Sequence, residues 1–392
     1  MAAGRKNPRS WKEADDMKSK VAVLKTSAGT VLEDYSRLLR SIGYLDLLDR
    51  SADVALKINV SWHHWYPACS TTPWQLDAVI RTLLEDGFKR EQLHSVHNRT
   101  VVVSDVRGEK GNHLRQVDED LHHIDKVRLY RKPVKWVEYT PKKPFRVLGD
   151  IFPDGVRIPD FLIGKNIIHM PTMKTHVFTT ITGAMKNAFG GLLSERRHWT
   201  HSVIHETLVD LLRIQKDIHP GILAVMDGTL AGEGPGPRAM IPHEKNYILA
   251  SGDQVAIDAI SAKMQGFDPM KLDFIRLAHE EGLGVGDPRD IEIVGEDISN
   301  VNFHFTQTDT FASRGQKMIY HGWLKPIEGL LLRSPIVPWA FMASRLYHDV
   351  FWLNLVGKKR IAEAMRTQWG ELFTRYGSVD TMPPLEPGTD GD

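Results

Sequence analysis

Two rhythms of apolar and polar positions follow one another along this chain, and their order predicts its architecture. Val54-Ala-Leu-Lys-Ile-Asn-Val60 is mostly apolar and carries several β-branched residues, the composition of a strand buried on both faces of a parallel sheet. After a loop, Leu76, Val79, Ile80, Leu83 and Leu84 recur at helical spacing. Thr72 is placed to cap that helix, Pro73 suits its first turn and Gly87 ends it. Val101-Val-Val-Ser-Asp105 then reads as the next strand. Strand, helix and strand in this order make a βαβ unit, which puts the loops Ser61 to Thr72 and Asp105 to His113 on one rim of the sheet. Open α/β sheets bind their ligands at that rim.

Residues 114–165, rich in Pro and Lys, read only as short strands and loops. Asn166-Ile-Ile-His-Met170 is a further strand entering a polar loop. From Val203 to Lys216 a helix shows Ile204, Leu208, Leu211 and Leu212 on one face, with His201 at its entrance. Ile222 to Asp227 reads as a strand ending in a Gly228 to Pro237 loop too rich in Gly and Pro to be regular. Strand Tyr247 to Ala250, helix Gln254 to Met264 capped by Asp253, a helix from Met270 to Gly282 and strand Ile291 to Val294 complete the alternation. The predicted fold is α/β, an open, mostly parallel sheet built from βαβ units with a C-terminal helical module.

Four segments follow: a disordered or loosely attached N-terminus over 1–20, an α/β core over 21–310, a helical module over 311–381 and a disordered tail over 382–392. The module is aromatic and basic from about Tyr320, which suits packing on the core or peripheral membrane contact. Its longest apolar run, Ile336 to Val356, contains Pro338, Arg345, His348 and Asp349 and reads poorly as a membrane span.

Composition narrows the partners. With 50 Lys+Arg against 49 Asp+Glu the net charge is +1, so no global field attracts nucleic acid. One cysteine, Cys69, excludes a disulfide framework, a thiolate zinc site and an iron-sulfur cluster ligated by this chain alone. The basic start has no apolar signal region, so the expected location is cytoplasmic.

Candidate chemistry is concentrated between His169 and His205. His169-Met-Pro-Thr-Met-Lys-Thr-His176 and Thr179-Thr-Ile-Thr-Gly-Ala-Met-Lys-Asn-Ala-Phe-Gly-Gly191 bring two lysines, two histidines, hydroxyls and glycines close together. A lysine near other cations loses basicity and becomes a nucleophile or cofactor anchor, and histidine exchanges protons near neutral pH. The plainer alternative is a set of solvated cations on an exposed loop. His198, His201 and His205 follow, the last two spaced to share one helical face as metal ligands or simply to sit half-exposed at a helix start. Asp227, at a strand end beside a glycine loop, is a candidate ligand, whereas Asp253 reads as a cap and Asp258 as either an exposed helical carboxylate or a ligand. Trp62, His63, His64, Trp65 and Tyr66 either wall a pocket or pack together.

Lys174-Thr-His176, Lys186-Asn-Ala-Phe-Gly190, Met226-Asp-Gly228 with Glu233-Gly-Pro-Gly-Pro237, and Gly252-Asp-Gln-Val-Ala-Ile-Asp258 resemble the markers of the domain of unknown function 362, over roughly Val54 to Glu296. Many relatives in that family carry a ferredoxin-type segment, whose cysteines this chain lacks. More remotely the chain resembles the nickel-pincer lactate racemases, in which a histidine precedes the cofactor-anchoring lysine by ten residues. Here His176 precedes Lys186 by ten, His201-Ser202 follows by fifteen, and Gly111-Asn-His113 resembles the earlier acid/base histidine. No arginine counterpart for holding a substrate carboxylate stands among Ser70, Thr71 and Thr72.

The resemblances imply a cofactor- or metal-dependent isomerase or oxidoreductase that racemises, epimerises, oxidises or reduces a hydroxylated small molecule. In it His176 and His113, with Lys174, are catalytic; Lys186, Asn187, Asp227, Gly228 and Glu233 bind a cofactor of nickel-pincer or other metal type; and His201 and His205 bind metal. The alternatives are a redox accessory protein working with a separate iron-sulfur partner, and a non-catalytic metal- or ligand-binding scaffold.

Overall fold

The computed structural model describes residues 19–99, 103–309, 314, 342 and 345–378. The first half of the core comprises β1 (Lys20–Lys25), α1 (Val31–Ser41), β2 (Val54–Ile58), α2 (Pro73–Glu85), β3 (Leu93–His97), α3 (Asp105–Gly111), β4 (Asp125–Arg128), β5 (Trp136–Glu138), α4 (Leu148–Ile151) and β6 (Arg157–Pro159). The second half comprises β7 (Asn166–Met170), β8 (Thr172–His176), β9 (Thr180–Ile181), α5 (Ala184–Leu192), α6 (Ile204–Ile218), β10 (Ile222–Glu233), β11 (Ile241–Ser251), α7 (Gln254–Gln265), α8 (Asp273–Glu280) and β12 (Glu292–Gly295). A π-helical segment Leu346–Gly357, α9 (Lys358–Ala364) and α10 (Gln368–Tyr376) end the described chain.

Among the described residues ten strands form one sheet, whose main path is β12-β1-β11-β10-β7-β2-β3-β4. Pairs β10/β7, β7/β2, β2/β3 and β3/β4 are parallel, and β11 runs antiparallel to both neighbours. Successive residues of each central strand face opposite layers, as the two-residue period of a strand requires. Ile222, Ala224 and Met226 join the apolar layer under α5 to α8, while Leu223 and Val225 join the layer under α1, α2 and α10. The sheet is therefore buried on both faces, which is why Val54 to Ile58 carries no polar-face alternation.

The start of α2 follows from local chemistry. Thr72 accepts from the Gln75 backbone N–H, the Gln75 side chain accepts from the Thr72 N–H, and Pro73 occupies the first turn. Asp253 caps α7 in the same way by accepting from Val255 and Ala256.

Three expectations are corrected. The strand after α2 is Leu93–His97, and Ser104 caps α3, so Asp105 starts a helix and the segment to His113 is not a rim loop; Val101 and Val102 lie outside the described residues. Pairing between β2 and β4 selects the polar-looking Leu-His-Ser-Val-His run because backbone partners on both sides outweigh local apolarity. The polar loop expected after Met170 is instead β8, held parallel to the second half of β10. Gly228 to Glu233, expected as an irregular loop, continues β10 against β11 through a bulge at Gly228/Leu230.

At the C-terminus α10 is part of the core. Trp369 and Tyr376 are buried, with Trp369 Nε1 donating to Asn246 Oδ1 at 2.7 Å and Tyr376 Oη donating to Asp77 Oδ2 at 2.7 Å. The remaining calls on 1–18, 315–341 and 379–392, including the N-terminal and tail segments, lie outside the described residues. No helix among the described residues is long and apolar enough to cross a membrane.

Candidate functional site

Strands β7 and β8 are one run of chain bent at Pro171, whose carbonyl accepts from the Asp227 N–H at 3.0 Å and from Gln75 Nε2 at 3.1 Å. The bend carries Thr172 and Lys174 to the carboxyl end of β2, where Asn59 and Ser61 leave the sheet. Helix α5 closes the space from the other side. Its first N–H groups, Ala184 and Met185, donate to Asp258 at 2.6 and 3.0 Å, and Asn187 Nδ2 donates to the Lys57 carbonyl at 2.8 Å. Gly183 has no alternative here, because a Cβ would lie 2.1 Å from Asp258 Oδ1. Asp258 is thus a fully buried helix cap rather than an exposed carboxylate, and burial pushes its pKa up to about 8.

The result is a cavity of about 80 Å³ lined by Asn59, Ser61, Thr172, Lys174, Thr182, Gly183, Lys186 and Asn187, with Pro171 and Pro237 completing the wall. Two ammonium groups, three hydroxyls and two amides face it, and no carboxylate does. Lys174 is 1% exposed, which rules out the solvated-loop reading for it; its Nζ donates to the Cys69 carbonyl. Burial lowers the Lys174 amine to about 8. Burial, then the charges of Lys174 and Arg197, lower Lys186 to about 7. A third lysine, Lys57, lies buried under Gly190 and Gly191 of α5, lowered by burial and by Arg197 to about 7. So much uncompensated positive charge is costly to bury, and an anion in the cavity would relieve it.

His176 sits behind this cavity rather than in its lining. Its Nδ1 accepts from the N–H groups of Phe178 at 3.1 Å and Thr179 at 3.4 Å, so the proton of the neutral ring is on Nε2. Burial, then the charges of Lys186 and His201, hold the ring well below the usual histidine range. Phe178 and Phe189 bridge the group: both rings lie 5.5 Å from that of His201, and Lys186 Nζ lies 5.6 Å from the Phe189 centroid. The structure therefore brings Lys174, Lys186 and Asn187 into one cavity, with His176 and His201 in the electrostatic shell behind Lys186.

Other predicted residues are placed elsewhere. His113 adopts the left-handed region (φ 55°) and packs on Phe373 of α10 at 4.3 Å, where burial lowers its pKa; it does not line the lysine cavity or oppose His176 across it. Asp227 lies inside β10 rather than at its end. Its Oδ2 accepts from Tyr35 Oη (2.9 Å), Thr72 Oγ1 (2.9 Å) and Trp74 Nε1 (2.8 Å), and its Oδ1 from the Thr229 N–H (3.0 Å) and Oγ1 (2.7 Å). Those bonds tie β10 to α1 and α2 and leave the carboxylate no role as a cavity wall. Gly228, also expected at the cofactor, packs against the Tyr247 carbonyl and Met173. Glu233 accepts from Thr306 and pairs with His243 Nε2 at 2.8 Å, outside the cavity lining.

The metal expectation finds no preformed site. Among the described residues no group of three or more His, Cys, Asp or Glu is placed to hold a metal ion. His201 Nδ1 donates to the His198 carbonyl at 3.0 Å, and His205 Nδ1 accepts from the Phe274 N–H at 3.2 Å.

Sequence reasoning missed Asn59 and Ser61 in the lining and Lys57 and Asp258 beneath it; Thr172 and Thr182 stood within the hydroxyl-bearing stretches it singled out, without being named as site residues. Asn59 and Ser61 had a signal, since they leave a predicted strand at the ligand-binding rim. The others depend on which distant elements face each other.

Residues 54–263, more than half of the chain, match the family described as Domain of unknown function (DUF362), and the whole cavity lining falls within them. A thylakoid-associated protein of Synechocystis sp. is 31% identical over 126 residues. That match covers 30% of this chain and 37% of the relative's length.

Proposed function

The chain belongs to the DUF362 family, and from that premise and the chemistry of the cavity we propose an enzyme acting on a small hydroxy or keto acid. Racemisation or epimerisation beside a carbonyl is the reaction class. The carrying observation is that Lys174 and Lys186 face one small cavity without a carboxylate. Their environments separate their roles. With its pKa near 8, Lys174 stays mostly cationic at neutral pH and holds the substrate's anionic group, while Lys186, near 7, is about half neutral and serves as nucleophile or base. His176, kept neutral by burial and by the charges of Lys186 and His201, stands behind the lysine as an uncharged neighbour rather than as its proton partner.

The shared order of His176, Lys186 and His201 with the nickel-pincer lactate racemases supports an isomerase reading. The pincer cofactor itself does not fit beside Lys186: a cavity of about 80 Å³ is smaller than the roughly 150 Å³ that admits benzene in an engineered core.

The test is reductive trapping. The full chain is incubated with pyruvate and cyanoborohydride near neutral pH: a neutral lysine adds to the keto carbon, water leaves, and hydride from the reagent reduces the imine to a stable amine. Peptide mapping should find the adduct at Lys186, with inorganic phosphate protecting it and Lys186→Met abolishing it. Labelling spread over surface lysines and indifferent to phosphate would defeat the proposal.

A further inference from the structure

The loop that lines the lysine cavity also lines a second one. Asn59 and Ser61 face the first, while His63 and His64 face a separate space of about 330 Å³ bounded also by Ser104 and Arg107 of the α3 entrance and by Arg345 and Asp349. This volume falls in the range of roughly 300–1,000 Å³ typical of small-molecule sites, which the lysine cavity does not reach.

Trp62 lies between Ser61 and His63 in sequence. It is fully buried and donates from Nε1 to Asp349 Oδ1 at 2.6 Å, and Asp349 Oδ2 lies 3.4 Å from His63 Nε2. The single carboxylate of the lining is therefore already engaged by the wall. Two guanidinium groups, Arg107 and Arg345, line the space with the one carboxylate of Asp349. Arg238, which follows Pro237 of the first cavity in sequence, lies outside this lining and has a buried Nη1 with no hydrogen-bond partner. Its charge reaches His63, and it in turn feels Asp349 and Arg345. The rings of His63 and His64 lie 4.4 Å apart and form a polar aromatic floor. Burial lowers both, His63 to about 4, so at neutral pH they add hydrogen-bonding capacity without charge.

We propose that this cavity is a second binding site, for a small molecule carrying a carboxylate or phosphate, with the oxyanion held by Arg107 and Arg345 and the body of the ligand against His63 and His64. Guanidinium groups are suited to both oxyanions through paired N–H donors. Ser61 lines the first cavity and His63 the second, so the two sites share one loop. The second site rests on residues separate from the lysine chemistry and stands or falls independently of it.

Calorimetric titration of the full chain with pyrophosphate and with citrate tests this, using Lys186→Met throughout to remove one of the two cations of the first cavity, so that dependence on Arg107 and Arg345 reports the second. Binding of at least one probe should persist in that background and weaken tenfold or more with Arg107→Gln, and again with Arg345→Gln, as expected for loss of a charge-assisted contact. Preference for pyrophosphate identifies a phosphorylated ligand, and preference for citrate a polycarboxylate. Absence of binding by both probes in the Lys186→Met background, or binding there that neither arginine substitution changes, would overturn the proposal.

Discussion

Replacing Lys186 by methionine removes the ammonium while keeping much of the apolar stem, and its effect on stability should depend on pH in a defined way. Folding lowers this amine from 10.5 to about 7 through burial and the charges of Lys174 and Arg197. Between those values the unfolded chain holds a proton that the folded chain has released. Wild-type stability therefore falls as pH drops from 10.5 and levels off below about 7, while above 10.5 the penalty is absent. A window of about 3.5 pH units at about 1.4 kcal/mol per unit sets a ceiling of about 5 kcal/mol. Solvent reaches this half-buried amine, so about 2–3 kcal/mol is the expected size. Methionine carries no such penalty. Urea unfolding of both proteins at about pH 7, 8.5 and 10 should show Lys186→Met more stable at neutral pH, with the difference shrinking as pH rises. Phosphate should narrow the gap at neutral pH by stabilising the cationic wild-type lysine. A pH-independent difference, or a variant less stable than wild type at pH 7, would refute the depressed amine and the nucleophile built on it.

Asp227→Asn should cost about 1–3 kcal/mol in urea unfolding without altering oxyanion binding, because either amide orientation sets an NH₂ against a donor that cannot rotate away, the Thr229 N–H or Trp74 Nε1; unchanged stability would show that the hub is not formed. The π-helical segment exposes Leu346, Val350, Phe351 and Leu355 ahead of Lys358 and Lys359, so we expect salt-sensitive co-sedimentation with anionic liposomes that is lost in a Phe351→Ser, Leu355→Ser double variant; equal pelleting of variant and wild type would remove this segment from any membrane contact.

The sequence by itself determined the elements whose signals are local. The capping box of Thr72 and Gln75, the Asp253 cap, the apolar run of β2 and the helical spacing in α2 and α6 each lie within one element, where backbone hydrogen bonding and periodicity act over a few residues. The clustering of Lys174, Lys186 and Asn187 was legible for a related reason: the run from β8 to α5 is short, so chain connectivity alone keeps them close. Only the tertiary structure decided what distant partners do to a residue. Asp227 became a five-bond hub because α1 and α2 aim donors at it, Asp258 became the cap of a helix some seventy residues earlier, and His113 was drawn to α10 instead of facing His176. A carboxylate or imidazole in sequence looks the same whether solvated, capping or reactive. Its desolvation and its partners set its protonation and role, and both are fixed by elements far away in the chain.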